Sequence, residues 1–398
     1  MCGIVGYVGD RQAAKFLLDG LSKLEYRGYD SAGIAVYDNG SIRVEKSVGR
    51  LSALRDKIKG NVPVGNIGIG HTRWATHGRP SDVNAHPHVD CHNDFAIVHN
   101  GIIENYLSLK EELIEKGHVF KSETDTEVVV HLLEDVYQGD FVAAVREVLR
   151  RIEGSYALAF MSRKHPDMLV CTKQDNPLII GLGEGENYIA SDIPAIISRT
   201  RRTYIMGDGE LAIVHKDSVE ITDRKGEPVA KKVFEVTWNA EAAEKGGYEH
   251  FMLKEIHEQP KAVRDTMSQR ITSDKKSISF EELSWTPEYL NSFNKIYIVA
   301  CGTAYHAGLV GKYYIEKMAR VIVEVDVASE FRYRDPIVDD KTLLIVVSQS
   351  GETSDTLAAL KESKRRGAKT LAITNVVGSS IAREADQVVY TWAGPEIA

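Results

Sequence analysis

The sequence predicts two folded units in tandem: an α+β unit with mainly antiparallel sheets, then an α/β unit with a parallel sheet. Three observations carry this. Up to about residue 238, short apolar strands cluster around pairs of helical runs without strict βαβ alternation. From Lys295 onward, near-continuous apolar strands alternate with helices, as in a doubly wound parallel sheet. Between them, residues 239–247 (NAEAAEKGG) are small, charged and glycine-ended, which suits a linker. The expected boundaries are 1–238, a linker at 239–248, and 249–398.

Residues 3–9 are apolar and glycine-rich and read as a strand. Residues 11–26 set Phe16, Leu17, Leu21 and Leu24 at helical spacing. Runs 32–38 and 41–48 flank Asn39-Gly40, a dipeptide that accepts two positive φ values, and so predict a hairpin. Further strands are expected at 68–71, 95–99, 156–161, 169–172, 178–181, 188–190 and 211–215. Helices are expected at 104–116 (closed by Gly117), 126–137, and 141–152 (closed by Gly154). In the second unit a helix covers 250–268. Strand 296–300, helix 304–318, strands 321–327 and 342–347, helix 356–366, and strands 370–374 and 388–392 follow.

Composition narrows the function. The 49 Lys+Arg stand against 57 Asp+Glu, a net charge of −8. A general nucleic-acid or membrane-surface binder needs a basic excess, so neither partner is expected. Cys2, Cys91, Cys171 and Cys301 form no CxxC pair, which fits neither a disulfide framework nor a four-cysteine zinc site. Free thiols suit a reducing cytosol. No run reaches the roughly 18 apolar residues of a membrane span, and the N-terminus lacks the pattern of a signal peptide.

Four pieces of the first unit carry chemistry. Cys2 follows Met1 directly. Loss of Met1 would put a thiol and a free α-amine on one residue, a nucleophile with its own base. The plain alternative is a small buried residue at a strand start. Residues 70–78 (GHTRWATHG) leave a strand for a loop in which Arg73 offers a fork for a carboxylate and Trp74 a cover over a ligand. In His99-Asn100-Gly101, the Asn100 amide and the Gly101 N–H could supply two donors to an oxyanion, or the run could be a plain turn. In residues 122–127 (SETDTE), Thr124 or Asp125 could cap a helix, or Asp125 could pair with a ligand ammonium. His86, His88, Cys91 and His92 raise the question of zinc. Their spacing is tighter than finger patterns and no second cluster completes it, so no metal and no cofactor are expected.

These pieces, together with LEYRGYDSAGIA (24–35), VNAHPH (83–88), HNGIIEN (99–105), GSYALA (154–159), YIASD (188–192) and KEIHEQP (254–260), resemble the class II, N-terminal-nucleophile glutamine amidotransferases. The likeness is to the isomerizing glutamine–fructose-6-phosphate aminotransferase family within that class. It implies a sandwich of antiparallel sheets between helices. It implies that Cys2 attacks the glutamine amide, with Asn100 and Gly101 as oxyanion hole. Arg73 would hold the substrate carboxylate and Asp125 its ammonium, with Trp74, Thr76 and His77 in a closing loop.

In the second unit, Cys301-Gly302-Thr303-Ala304 ends one strand, and Ser348-Gln349-Ser350-Gly351-Glu352-Thr353 ends another and opens a helix. Strand ends and helix N-termini in such sheets suit a phosphate, and the Walker lysine is absent. Simple capping by Ser350 or Thr353 is the alternative. The runs resemble the sugar isomerase (SIS) domain of the same family. Thr303, Ser348, Gln349, Ser350 and Thr353 would then hold a sugar phosphate, with Cys301 and Gly302 shaping the loop. Ala304 stands where that family usually has serine. The family carries two SIS repeats, and only the first is expected within 249–398. The resemblance implies glutamine and fructose 6-phosphate as substrates, glucosamine 6-phosphate and glutamate as products, and a homodimer in the full-length form. This chain would retain glutamine hydrolysis but not sugar isomerization. The competing reading is a sugar-phosphate-binding regulatory module without catalysis.

Overall fold

A computed structural model describes residues 2–25, 28–74, 78–236, 248–268, 270–271, 277–280, 282–394 and 396–397. The chain forms two compact units, 1–241 and 242–398. Residues 239–247 of the expected linker lie outside the described residues.

The first unit runs β1 (Gly3–Gly9), α1 (Ala13–Ser22), β2 (Ser31–Asp38), β3 (Ser41–Val48), α2 (Leu51–Ile58), β4 (Ile67–Arg73), β5 (His88–Val89) and β6 (Phe95–Ile103). It continues with α3 (Tyr106–Glu115), α4 (Glu127–Val136), α5 (Phe141–Arg151), β7 (Gly154–Ser162), β8 (His165–Gln174), β9 (Ile179–Leu182) and β10 (Glu186–Ala190). The short strands β11 (Arg202–Ile205), β12 (Leu211–His215), β13 (Val219–Thr222) and β14 (Phe234–Glu235) complete it. One sheet has the order β14-β11-β9-β10-β1-β4-β2-β3 and the other β13-β12-β8-β7-β6-β5. Neighbouring strands in both are antiparallel. Asn39 (φ 48°) and Gly40 (φ 86°) make the expected hairpin turn.

Period-2 alternation sorts each strand between two cores. Ile4 and Val8 of β1, Ala96 and Val98 of β6, and Ala157 and Ala159 of β7 fill the space between the sheets. Val5 and Tyr7 face α1 and α2 on one outside. Phe95, Ile97, Leu158 and Phe160 face α3, α4 and α5 on the other. The result is a four-layer α/β/β/α sandwich. Burial on both faces is why these antiparallel strands read as nearly continuous apolar runs. Helix α2 is not expected from the sequence, because only Leu51, Leu54 and Ile58 are buried in a polar run.

The second unit opens with α6 (Phe251–Ser268) and α7 (Pro287–Leu290). Then come β15 (Lys295–Ala300), α8 (Gly302–Ala319), β16 (Ile322–Val327), α9 (Ala328–Tyr333), β17 (Thr342–Ser348), α10 (Ser354–Arg365), β18 (Lys369–Thr374), α11 (Ser380–Glu384) and β19 (Gln387–Tyr390). The five strands are parallel in the order β16-β15-β17-β18-β19. Tyr297, Val299 and Phe331 pack on one face of the sheet, and Phe293, Ile298 and Val323 on the other. Among the described residues, no helix is long and apolar enough to cross a membrane.

Packing energetics give a direct check. Leu133 of α4 is fully buried, whereas Leu107 of α3 is 61% exposed. Leu133→Ala is expected to destabilise the first unit by about 2–5 kcal/mol, and Leu107→Ala by less than about 0.5 kcal/mol, in urea unfolding.

Candidate active site

The start of β1 pairs with the end of β4, with Gly3 opposite Thr72. That register sets residue 2 beside Arg73 and Trp74. The Trp74 N–H donates to Cys2 Sγ at 3.2 Å, and the thiol faces Trp74 O at 3.5 Å. The approach is close: a Cβ on Gly3 would sit 2.7 Å from Thr72 Oγ1. Burial pushes the Cys2 thiol above its ordinary value, against the lowering effect of the Trp74 N–H. Such a thiol is a poor nucleophile without a base.

Asn100 comes from β6, in the opposite sheet. Its Nδ2 donates to Cys2 O at 3.1 Å, so the two sheets meet at Cys2. Its orientation is dictated by His71, which in the sequence is only one member of the run 70–78. His71 Nε2 lies 3.0 Å from His99 O and 3.0 Å from Asn100 Oδ1. A backbone carbonyl only accepts, so Nε2 must carry the proton. The Asn100 atom facing it is then the oxygen, and the amide nitrogen faces Cys2. Burial pushes His71 down to about 3, so the ring is neutral near pH 7. One Nδ2 hydrogen of Asn100 goes to Cys2 O, which leaves the second for a ligand. Gly101 follows at φ 128°, and a Cβ there would lie 2.0 Å from Ser155 O, so glycine is required.

Arg73 and Asp125 are both buried, at 4% and 3% exposure. Arg73 donates through Nη2 to Gly78 O at 2.9 Å. Asn84 Nδ2 donates to Arg79 O and to Glu123 Oε2, each at 3.0 Å, which ties the loop after Arg73 to the run holding Asp125. Asp125 does not cap α4. Its Oδ2 accepts the Ile103 N–H at 2.7 Å, just past Gly101. Thr124 does not cap it either, since its hydroxyl bonds Ser122 Oγ and His88 Nε2. Trp74 is 46% exposed and meets Tyr29 edge-on at 5.2 Å. Thr76 and His77 lie outside the described residues.

The histidines weighed for zinc separate. His86 stacks on His71 at 4.2 Å and its Nδ1 accepts the His99 N–H at 3.3 Å. His88 Nε2 meets Thr124 Oγ1 at 3.1 Å. Burial holds both well below the ordinary histidine value. They buttress the Asn100 strand and the Asp125 loop. The expectation that nothing completes a cluster at Cys91 needs correction, because folding brings His118, His131 and Glu134 to it.

In the second unit, strand order reverses between β15 and β17, the switch point where α/β sheets bind ligands. The runs 301–304 and 348–353 leave those two strands. Gly302 (φ 58°) opens α8 and Gly351 (φ 65°) sits in the other loop. Ser348 Oγ meets Thr353 Oγ1 at 3.0 Å and accepts the Gly351 N–H at 3.1 Å. Ser350 Oγ accepts the Glu352 N–H at 3.2 Å. Thr353 occupies the cap position of α10, yet no side chain caps that helix, so capping does not account for these hydroxyls. Cys301 accepts from Thr356 Oγ1 at 3.8 Å beneath the loop. A cavity of about 470 Å³ opens beside it, lined by Thr303, Ala304, Gln349 and Thr374, with Val263 and Met267 of α6.

A family model described as a glutamine amidotransferase domain matches residues 71–198, and one described as a SIS domain matches 289–398. Over 398 residues the chain is 62% identical to the glutamine–fructose-6-phosphate aminotransferase [isomerizing] of Caldanaerobacter subterraneus subsp. tengcongensis. It is 57% identical to that of Clostridium perfringens and 51% to that of Thermus thermophilus. Each match covers 100% of this chain and 65% of the relative's length. Among solved structures, the glutamine phosphoribosylpyrophosphate amidotransferase of B. subtilis aligns over 98% of this chain and 90% of its own, with TM-score 0.52 and 17% identity. An allosteric regulatory enzyme of purine biosynthesis aligns over 93% and 80%, with TM-score 0.53 and 19% identity. These two likenesses concern fold alone.

The neutral histidines around the site set a pH dependence. His71, His86 and His88 bind a proton in the unfolded chain near pH 6.5 but not in the folded one. Their contribution is complete above pH 6.5 and is lost as pH falls. Urea unfolding is expected to show lower stability at pH 5 than at pH 7.5, with the loss setting in as pH falls below about 6.5.

Proposed function

Because the chain belongs to the family of isomerizing glutamine–fructose-6-phosphate aminotransferases, we propose that its first unit hydrolyses glutamine and its second binds the phosphate of a sugar. The parent activity would convert fructose 6-phosphate and glutamine to glucosamine 6-phosphate and glutamate. This chain carries the glutamine half and part of the sugar site.

The observation that carries the reading is the Cys2 arrangement: a thiol against the Trp74 N–H, with the same residue's carbonyl held by Asn100. Removal of Met1 gives Cys2 an α-amine of pKa about 7.7–8. The amine takes the thiol proton as Sγ attacks the side-chain carbonyl carbon of glutamine. The carbonyl electron pair moves to oxygen, where the second Asn100 hydrogen and the Gly101 N–H stabilise it. On collapse the ammonium returns the proton to the departing nitrogen, and ammonia leaves a thioester. Water then attacks, the amine again takes a proton, and glutamate departs with the thiol restored. Arg73 would bind the substrate carboxylate and Asp125 its ammonium. Trp74, Thr76 and His77 would cover the substrate. Free glutamine, with both charges, would be selected over glutamine in a peptide.

In the second unit, Thr303, Ser348, Gln349, Ser350 and Thr353 would receive the sugar phosphate, with Cys301 and Gly302 shaping the loop. Ala304 offers the cavity a methyl group where a hydroxyl would add a bond. The reading makes this a cytoplasmic enzyme, in keeping with its free cysteines. It also makes the full-length form a homodimer. An apolar stripe on α8, where Val310, Tyr313, Tyr314 and Met318 are 54–80% exposed, supports a covered face there.

Glutamate release from glutamine tests the first proposal. Cys2→Ala is expected to lower kcat/KM at least ~10³-fold, and equal rates would refute catalysis. The neutral amine is the base, so kcat/KM should fall about tenfold per pH unit below the amine's pKa. For the second unit, Ser348→Ala is expected to weaken fructose 6-phosphate binding about tenfold in calorimetry, with glutamate release unchanged in the absence of sugar.

A further inference from the structure

We propose that Cys91, His118, His131 and Glu134 form a zinc site that staples the helical layer of the first unit to the strand carrying Asn100. Nothing in the glutamine chemistry uses these residues. They come from three separate places: the turn after β5, the segment after α3, and one face of α4, where positions three apart lie together. One ligand atom from each falls within 4.8 Å of all the others.

Three of the pair distances lie near those of a coordination shell. Zinc bond lengths of about 2.0–2.3 Å in a tetrahedron put nitrogen and oxygen ligands about 3.3 Å apart, and sulfur and nitrogen about 3.6 Å apart. His131 Nδ1 lies 3.2 Å from Glu134 Oε2, and Cys91 Sγ lies 3.7 Å from His131 Nδ1. His118 Nδ1 lies 2.8 Å from Glu134 Oε2, so a small outward shift seats both. The groups suit the ion. One thiolate, one carboxylate and two neutral imidazoles balance a dication, which matters where His131 is only 1% exposed. A mixed sulfur, nitrogen and oxygen set favours zinc over calcium or magnesium.

The surroundings follow the pattern of metal-bound histidine, in which the second ring nitrogen faces a carboxylate. His131 Nε2 lies 3.6 Å from Glu127 Oε1, and His118 Nε2 lies 3.8 Å from Asp135 Oδ1. With Nδ1 on the metal, both Nε2 atoms carry the proton and face those oxygens. On binding, the Cys91 thiol proton leaves to solvent and the zinc–sulfur bond replaces it. No electron transfer is involved. The Val119 N–H donates to Cys91 Sγ at 3.4 Å and would steady the thiolate. His92 Nδ1, 2.5 Å from Glu134 Oε1, would hold the other carboxylate oxygen.

The position gives the ion a role. The residue before α4, Thr126, bonds His99 Nδ1 at 2.9 Å, next to Asn100. Pinning α4 to the turn before β6 therefore fixes the ground on which the amide of Asn100 stands.

The test uses tag-free full chain expressed with added zinc and passed through gel filtration. Elemental analysis is expected to find about one zinc per chain. Cobalt substitution should give a thiolate-to-cobalt charge-transfer band. Both should be lost in Cys91→Ser and in His118→Gln. Chelation should lower the wild-type Tm by about 5 °C, with recovery on adding zinc, and neither change should occur in Cys91→Ser. Under a tenth of an equivalent of zinc with no cobalt band would overturn the proposal and leave a purely hydrogen-bonded cluster. Metal and band unchanged in both variants would put the ion elsewhere and overturn it equally.

Discussion

A single imidazole hydrogen, shared between His99 O and Asn100 Oδ1, sets the direction of the Asn100 amide. That amide in turn holds the carbonyl of Cys2. Turn the amide over and an oxygen would face the carbonyl of Cys2. The constraint is cheap to state but demanding to build. It needs a neutral ring in a dry place, and His71 is fully buried and pressed against His86. The remainder of the first unit can be understood as the means of bringing β4 and β6, which belong to different sheets, to within one hydrogen bond of each other.

The sequence reveals the parts of this arrangement better than their relations. Strands such as β1 and the Phe95–Val98 half of β6 stand out because they are buried and their residues are mostly apolar or small. The hairpin at Asn39-Gly40 stands out because its backbone demands a rare pair of residues. The helix at Leu51–Ile58 does not, since three apolar positions in a charged run give almost no periodic signal. Among candidate site residues, Cys2, Arg73, Asn100 and Gly101 are visible as chemistry in loops and strand ends. The part played by His71 is not, because it depends on which two oxygens flank one nitrogen across two sheets. The same holds for Cys91, whose neighbours His118, His131 and Glu134 follow it by 27, 40 and 43 residues and match no spacing rule. Only the docking of α3 and α4 on the sheet brings them together.

The second unit solves a simpler problem. A parallel sheet whose order reverses between β15 and β17 leaves two loops side by side at the carboxyl ends of its strands. Both loops were legible as hydroxyl- and glycine-rich runs. Their bonding was not: Thr353 has the address of a helix cap but spends its hydroxyl on Ser348. The two units thus hold their polar groups differently. In the first they are locked by buried rings, and in the second by short bonds within one turn.

The place of β1 in its sheet has a consequence for synthesis. It lies between β4 and β10, and the amide of Ile4 reaches the hydroxyl of Ser191, 187 residues along the chain. At translation speeds of about 5–20 residues per second, roughly ten to forty seconds separate the emergence of these two partners. During that interval one flank of the leading strand waits for its partner. The ribosome, through the order in which it delivers strands, sets how late that sheet can close.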